Sequence, residues 1–163
     1  MNQSTTVHRG TDATIREATI DDLGEIMRHR RCMFRDMGFE DTVALDAMEA
    51  TSAPFIKAGL KDGSYREWLA EIAGRVVAGG GLLIVAHPSS PRDPGPHRAW
   101  ILNMYTEPEY RGRGLAKSIL GKSIGWCREQ GFAWVSLHAS EAGCPLYEHL
   151  GFKPTNEMRL QLG

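Results

Sequence analysis

The chain has little cysteine, little excess charge and no long apolar run, and each shortage narrows what it can be. Its three cysteines, Cys32, Cys127 and Cys144, form no CxxC pair and no even framework. That excludes a disulfide-stapled scaffold and makes a reducing cytoplasm the expected compartment. A formal net charge of -1 excludes a general electrostatic hold on nucleic acid, which needs a basic stripe to displace counterions. No stretch approaches the ~20 apolar residues that cross a bilayer, so no membrane partner is expected. The six histidines, His8, His29, His87, His97, His138 and His149, show no metal-ligand spacing, and no metal is expected. The opening MNQSTTVHRGTD lacks the apolar segment of a signal peptide and reads as a tail over residues 1–12.

What is present is the composition of a soluble globular protein, with 42% hydrophobic and 24% charged residues. The length suits one domain, expected over residues 13–163. ATIREA reads as a first strand, and Thr19 with Asp22 has the spacing of a capping box. Leu23, Ile26, Met27, Arg30, Phe34 and Met37 then recur at helical steps, ended by Gly38. A second helical stretch covers residues 41–60, with Pro54 expected to break or kink it. YREWLAEIA and VVAGGGLLIVA read as a hairpin turning at Gly74 and Arg75. Gly79, Gly80 and Gly81 point to a bulge or a close approach by another backbone. After a proline-rich loop, RAWILNMYT is a strand that must stop at Pro108. A helix from Gly114, the strand FAWVSLHA, the short helix EAGCPLYEHL and a last strand MRLQL complete the order. Strands and helices mixed in this way imply a mostly antiparallel sheet with helices on its faces.

The stretch EYRGRGLAKSILGKS holds the most chemistry. GKS at residues 121–123 ends like a nucleoside-triphosphate loop, but the leading glycine would fall at Ala116 and GKS lies inside a helix. A dinucleotide fingerprint fails because its third glycine would be Lys117. A third reading uses the helix start, whose first amides lack partners and carry a partial positive charge. Glycines before it leave the backbone free to close around an anion, with Arg111, Arg113 and Lys117 adding countercharge. On these residues alone, a pyrophosphate cradle and a plain turn into a basic helix both stand.

In context, YRGRGLA resembles the R/Q-x-x-G-x-G/A signature of the GNAT superfamily of acyl-coenzyme A-dependent N-acetyltransferases, with Arg111, Gly114 and Ala116 at its defining positions. Starting 31 residues after Gly114, PLYEHLGF is similar to the family's second landmark, and TIREATIDDLGEI to its usual start. The resemblance implies an α/β fold of the α+β type: a central, mostly antiparallel mixed sheet, flanked by helices and splayed between its fourth and fifth strands, over 98–106 and 132–139. It implies that acetyl-coenzyme A lies in the gap as co-substrate. Backbone from Arg111, Gly112, Arg113, Gly114, Leu115 and Ala116, with Lys117, would hold the pyrophosphate. The edge at Met104, Tyr105 and Thr106 would pair with the pantetheine arm, and an amide near Met104 would stabilise the oxyanion. Tyr147 matches the general acid, a phenol that stays protonated at neutral pH yet can give its proton to a thiolate. Ser140 stands where many members carry a cofactor-contacting Asn.

The function so implied is direct acetyl transfer from acetyl-coenzyme A to a primary amine in a ternary complex. The alternative is a non-catalytic acyl-coenzyme A-binding sensor or interaction domain, which would have no use for a phenol at the thiolate. No dedicated base is evident. His138 has a suitable titration range, Glu71, Glu40 and Asp36 are weaker candidates, and a solvent path serves equally. The resemblance places Met33, Phe34, Met37, Phe39 and Glu40 at the acceptor, a small-molecule or peptide amine. RHRRCMFR offers a carboxylate clamp or, more simply, a solvated helix face. Self-association through the last strand is a further expectation, giving a homodimer.

Overall fold

The computed structural model describes residues 13–162. The tail expected over residues 1–12 lies outside them. The elements run β1 (Thr14–Glu17), α1 (Leu23–Asp36), α2 (Thr42–Asp62), β2 (Tyr65–Ile72), β3 (Arg75–Ala86), β4 (His97–Thr106), α3 (Leu115–Glu129), β5 (Val135–Leu137) and α4 (Cys144–His149). The strands form one sheet in the order β1-β2-β3-β4-β5, antiparallel except for the parallel β4–β5 pair. No helix among the described residues is long and apolar enough to cross a membrane.

Local chemistry explains most boundaries. The capping box forms, the Asp22 carboxylate accepting from the Thr19 amide at 2.7 Å, and Arg16 ties the same carboxylate to β1. Asp41 caps α2 by accepting from the amides of Val43 and Ala44. Contrary to expectation, Pro54 neither breaks nor divides α2. Proline removes the donor to the Ala50 carbonyl, but Ala50 is exposed, so losing that donor need not leave a buried unpaired carbonyl. The β2–β3 turn lies one residue earlier than expected. Ala73 (φ 51°) and Gly74 (φ 77°) supply the two left-handed positions of a tight hairpin, while Arg75 already pairs with Ile72.

The sheet separates two apolar cores. Alternation in β2 sends Trp68 and Ala70 toward Leu115, Ile119, Leu120 and Cys127 of α3, and Tyr65 and Leu69 toward Ile26 of α1 and Ile56 of α2. Each fully enclosed aliphatic side chain, Ile119 and Leu120 among them, contributes roughly 1.5–3 kcal/mol. α1 presents a stripe different from the expected one, because its second buried residue is His29 rather than an apolar side chain.

The expected close approach at the three glycines is real, but side chains make it. A Cβ at Gly80 would overlap Met104 and Ile119, and one at Gly81 would overlap the Tyr65 ring. The register also shifts here: Gly79 pairs with Tyr105 and Gly81 with Leu102, so the surplus residue belongs to β4. Asn103 sits in the resulting bulge at φ 56°. The last expected strand does not form. Residues 158–162 join no ladder, and Met158, Leu160 and Leu162 are exposed. β5 has three residues instead of the expected eight, which leaves too short an outer edge to pair MRLQL.

Candidate active site at the splayed edge of β4

β5 accompanies β4 only from Ala99 to Ile101. From Leu102 onward the β4 edge that faces β5 has no strand partner among the described residues, which is the splay expected from sequence. The Glu107 amide donates to the Val77 carbonyl on β3 at 2.9 Å. Alternation along an antiparallel strand then turns Tyr105 toward β3 and presents the amides and carbonyls of Met104 and Thr106 to the gap. The Arg111 Nε donates to the Thr106 carbonyl at 2.9 Å, consistent with that outward direction.

The turn following β4 leads into α3 through two left-handed glycines, Gly112 (φ 74°) and Gly114 (φ 79°). A Cβ at either would meet nothing within 4 Å, so the backbone here borders open space. No side chain caps α3 at Gly114. The amides of Leu115, Ala116 and Lys117 therefore point out of the first helical turn toward any anion in the gap. Arg111 and Arg113 flank the turn, held over the rings of Tyr105 and Tyr110, and Lys117 is exposed. Arg111 is also bonded to Asp36 of α1. A backbone with free amides, open space at its glycines and cationic flanks fits a pyrophosphate.

Tyr147 lies on α4, half-buried against the α3-side core, edge-on to Phe152 at 5.9 Å. Burial, with a smaller contribution from Cys144, raises its pKa above the ordinary phenol value. Its hydroxyl has no hydrogen-bond partner among the described residues. Ser140 accepts from the Gly143 amide at 3.2 Å and so helps start α4. His138 is exposed, tilted over Trp100 at 5.3 Å, with Nε2 3.0 Å from Glu157.

On the other face of the sheet stands a buried polar group that the sequence reading missed. Arg30 of α1 donates to the Asn103 side-chain oxygen, and the Asn103 amide nitrogen donates to the Tyr65 hydroxyl at 2.8 Å. Tyr65 in turn donates to Glu67 Oε2. Every link runs in one direction, from a guanidinium to a carboxyl group, and clamps the bulge residue between α1 and β2. Glu67 is fully enclosed, and burial pushes its pKa up to about 8. Its Oε1 and the Nδ1 of buried His29 have no partner among the described residues, and both lie beside Gly79. Burial first, then Arg28, lowers the His29 pKa and keeps that ring neutral. Glu107, where β4 ends, is also enclosed. Burial opposes its charge, but hydrogen bonds from Arg28 prevail with the help of Arg75 and hold its pKa below the usual carboxylate value. One sequence signal was available: in YREWL, Glu67 shares a strand face with Tyr65 and Leu69, a charged residue in an apolar row.

The proposed acceptor wall gathers only in part. Phe34 and Phe39 meet edge-to-face at 5.6 Å, and Arg30 lies over Phe34 at 5.0 Å. Met33 precedes Phe34 on α1, while Met37 and Phe39 are more than half exposed. Glu40 lines a separate 460 Å³ cavity with Arg31, Arg35, Thr42 and Leu45. The α1 arginines diverge as helical geometry requires: Arg28 reaches Glu25 and Glu107, Arg31 reaches Asp46 and Glu49, and Arg30 turns inward.

Known proteins share this fold. A GCN5-related N-acetyltransferase from Ralstonia eutropha superposes with a TM-score of 0.85 at 36% identity, covering 92% of this chain and 98% of that one. A predicted acetyltransferase from Clostridium acetobutylicum, solved with acetyl-CoA, superposes at 0.83 with 26% identity over 93% and 96%. Among curated proteins, glucosamine 6-phosphate N-acetyltransferase of Trypanosoma brucei brucei is 36% identical over 55% of this chain and 59% of its own. N-acetyltransferase 8 of Rattus norvegicus is 29% identical over 64% of this chain and 47% of its own, so the matches span about half the length of these curated relatives. The family description "Acetyltransferase (GNAT) family" matches residues 25–152, a span that takes in the β4 edge, the glycine turn and Tyr147 together. The chain belongs to the GNAT acetyltransferase family.

Proposed function

We propose that the protein transfers the acetyl group of acetyl-CoA to a primary amine, with both substrates bound at once. The observation that carries this reading is the junction of two open backbones, the unpaired β4 edge at Met104 and Thr106 and the uncapped start of α3 behind Gly112 and Gly114. The coenzyme supplies an activated thioester. Residues 111–116 would hold its pyrophosphate through backbone amides, with Lys117 at the rim. Met104 and Thr106 would bind its pantetheine amides as an added strand does, and the Tyr105 ring supports Arg111 from the other side. The Met104 amide, presented by the bulge, would donate to the oxygen on which negative charge develops.

Tyr147 serves as the acid. A phenol kept protonated by burial holds its proton until a strong base, the departing thiolate, appears beside it. Ser140 contributes by starting α4 and so setting the position of Tyr147. His138 is one candidate base, with Glu157 3.0 Å from its Nε2 and its ring open to solvent, and a solvent path serves equally. Phe34, with Met33 beside it on α1, would form the acceptor wall.

Calorimetric titration with acetyl-CoA, with NAD and ATP as controls, tests the reading. Selective coenzyme binding is expected. Gly114→Glu should weaken it about a hundredfold or more, because a carboxylate and a strained left-handed side chain replace open space beside the phosphates. Unchanged affinity in a folded Gly114→Glu protein would overturn the placement. Binding without thiol release on any amine would leave an acyl-CoA sensor.

A further inference from the structure

Five half-buried arginines, Arg16, Arg28, Arg31, Arg66 and Arg98, are each bonded to a carboxylate. Arg30 is half-buried too, yet no carboxylate pairs with it among the described residues. Its guanidinium donates to the neutral Asn103 side chain, its Nε lies 3.3 Å from the Met48 sulfur, and its face covers Phe34. The remaining terminal nitrogen of the fork has no protein partner among the described residues. We propose that this position binds an anionic group on the acceptor, a carboxylate or a phosphate, so that the substrate is an amine that also carries negative charge. The inference rests on the acetyltransferase reading above.

The location favours the acceptor. Asn103 occupies the β4 bulge and immediately precedes Met104, whose backbone faces the gap. An acid held by Arg30 would therefore sit against the side chain that precedes the proposed transfer point, with Phe34 beside it to cover an apolar body. A planar guanidinium fork matches the paired oxygens of carboxylate or phosphate better than any other side chain does.

The surrounding charges leave the position electropositive. Glu67 is the acid closest along the hydrogen-bonded chain, but its Oε2 already accepts from Tyr65. Burial keeps it largely protonated at neutral pH. Tyr65 is held neutral chiefly by burial, and His29, one residue along α1, is neutral as well. Asp36 and Glu107 are taken by Arg111 and by Arg28 with Arg75. Half-burying a cation without a counter-charge is unfavourable, and an anionic ligand relieves that cost.

The test is coenzyme thiol release with matched pairs of amines that differ in one anion: glycine against glycinamide for a carboxylate, and glucosamine 6-phosphate against glucosamine for a phosphate. In at least one pair the anionic member should show about ten- to hundredfold higher kcat/KM, the range of a charge-assisted hydrogen-bonded contact. Arg30→Gln should bring that ratio close to one, mostly through KM, and Arg30→Lys should restore part of it. The pair that responds distinguishes carboxylate from phosphate. Equal use of both members by the wild-type protein overturns the inference and leaves the acetyltransferase reading standing. A ratio that survives Arg30→Gln, or no release from either pair while acetyl-CoA binds, also overturns it. Failure to bind acetyl-CoA counts instead against the reading beneath.

Discussion

Replacing Glu67 with glutamine removes a titratable group from an enclosed position while keeping its shape and its ability to accept from Tyr65. The carboxyl pKa rises from 4.5 to about 8, chiefly through burial, with the Tyr65 bond and Arg30 opposing the rise. Because the folded-state pKa lies above the unfolded one, the folded protein binds the extra proton between those values. Wild-type stability therefore falls as pH rises through the window from 4.5 to about 8, and the full loss is in place above it. At about 1.4 kcal/mol per pKa unit, the loss is on the order of 5 kcal/mol. Glu67→Gln carries no such proton and should be free of this slope. The assay is urea unfolding of both proteins from about pH 5 to about pH 9, read as the difference between their stabilities. That difference cancels the titration of Asp22, whose pKa of about 2 lies below the window, and of His29, present in both proteins. The variant should gain on the wild type steadily with pH. Parallel curves across the whole range would show that the carboxyl is ionised throughout, and the argument from desolvation would fail.

Tyr147→Phe should lower thiol release about a hundredfold or more while coenzyme affinity by calorimetry stays unchanged; full turnover would return Tyr147 to a packing role against Phe152. Gly80→Ala adds a methyl group where Met104 and Ile119 already touch the backbone. It should cost about 1–3 kcal/mol in denaturant unfolding, and unchanged stability would mean that Met104 and Ile119 yield to the added methyl group without strain.

Much of the site was legible because its signals are local. Gly112 and Gly114 can take left-handed conformations that other residues resist, so RGRGLA specified both the turn and the uncapped helix start. PLYEHLGF likewise placed Tyr147 on a short helix that ends at a left-handed glycine, Gly151. Errors arose where local rules met tertiary context. Pro54 was tolerated because Ala50, whose carbonyl loses its donor, is exposed, and MRLQL stayed unpaired because a strand pattern needs a neighbouring edge. The hairpin turn shifted by one residue because Ala73 accepted a positive φ that sequence alone would assign to glycine.

The sequence by itself therefore determined the elements that rest on backbone freedom and short-range hydrogen bonds: the strand that stops at Pro108, the glycine turn, the start of α3 and the position of Tyr147. Only the tertiary structure decided the chain from Arg30 through Asn103 and Tyr65 to Glu67, whose first two links join residues 73 and 38 positions apart. No local pattern encodes such contacts. They depend on sheet register, on one surplus residue in β4 that turns Asn103 toward α1, and on burial, which keeps Glu67 protonated beside an Arg30 that has no carboxylate partner among the described residues.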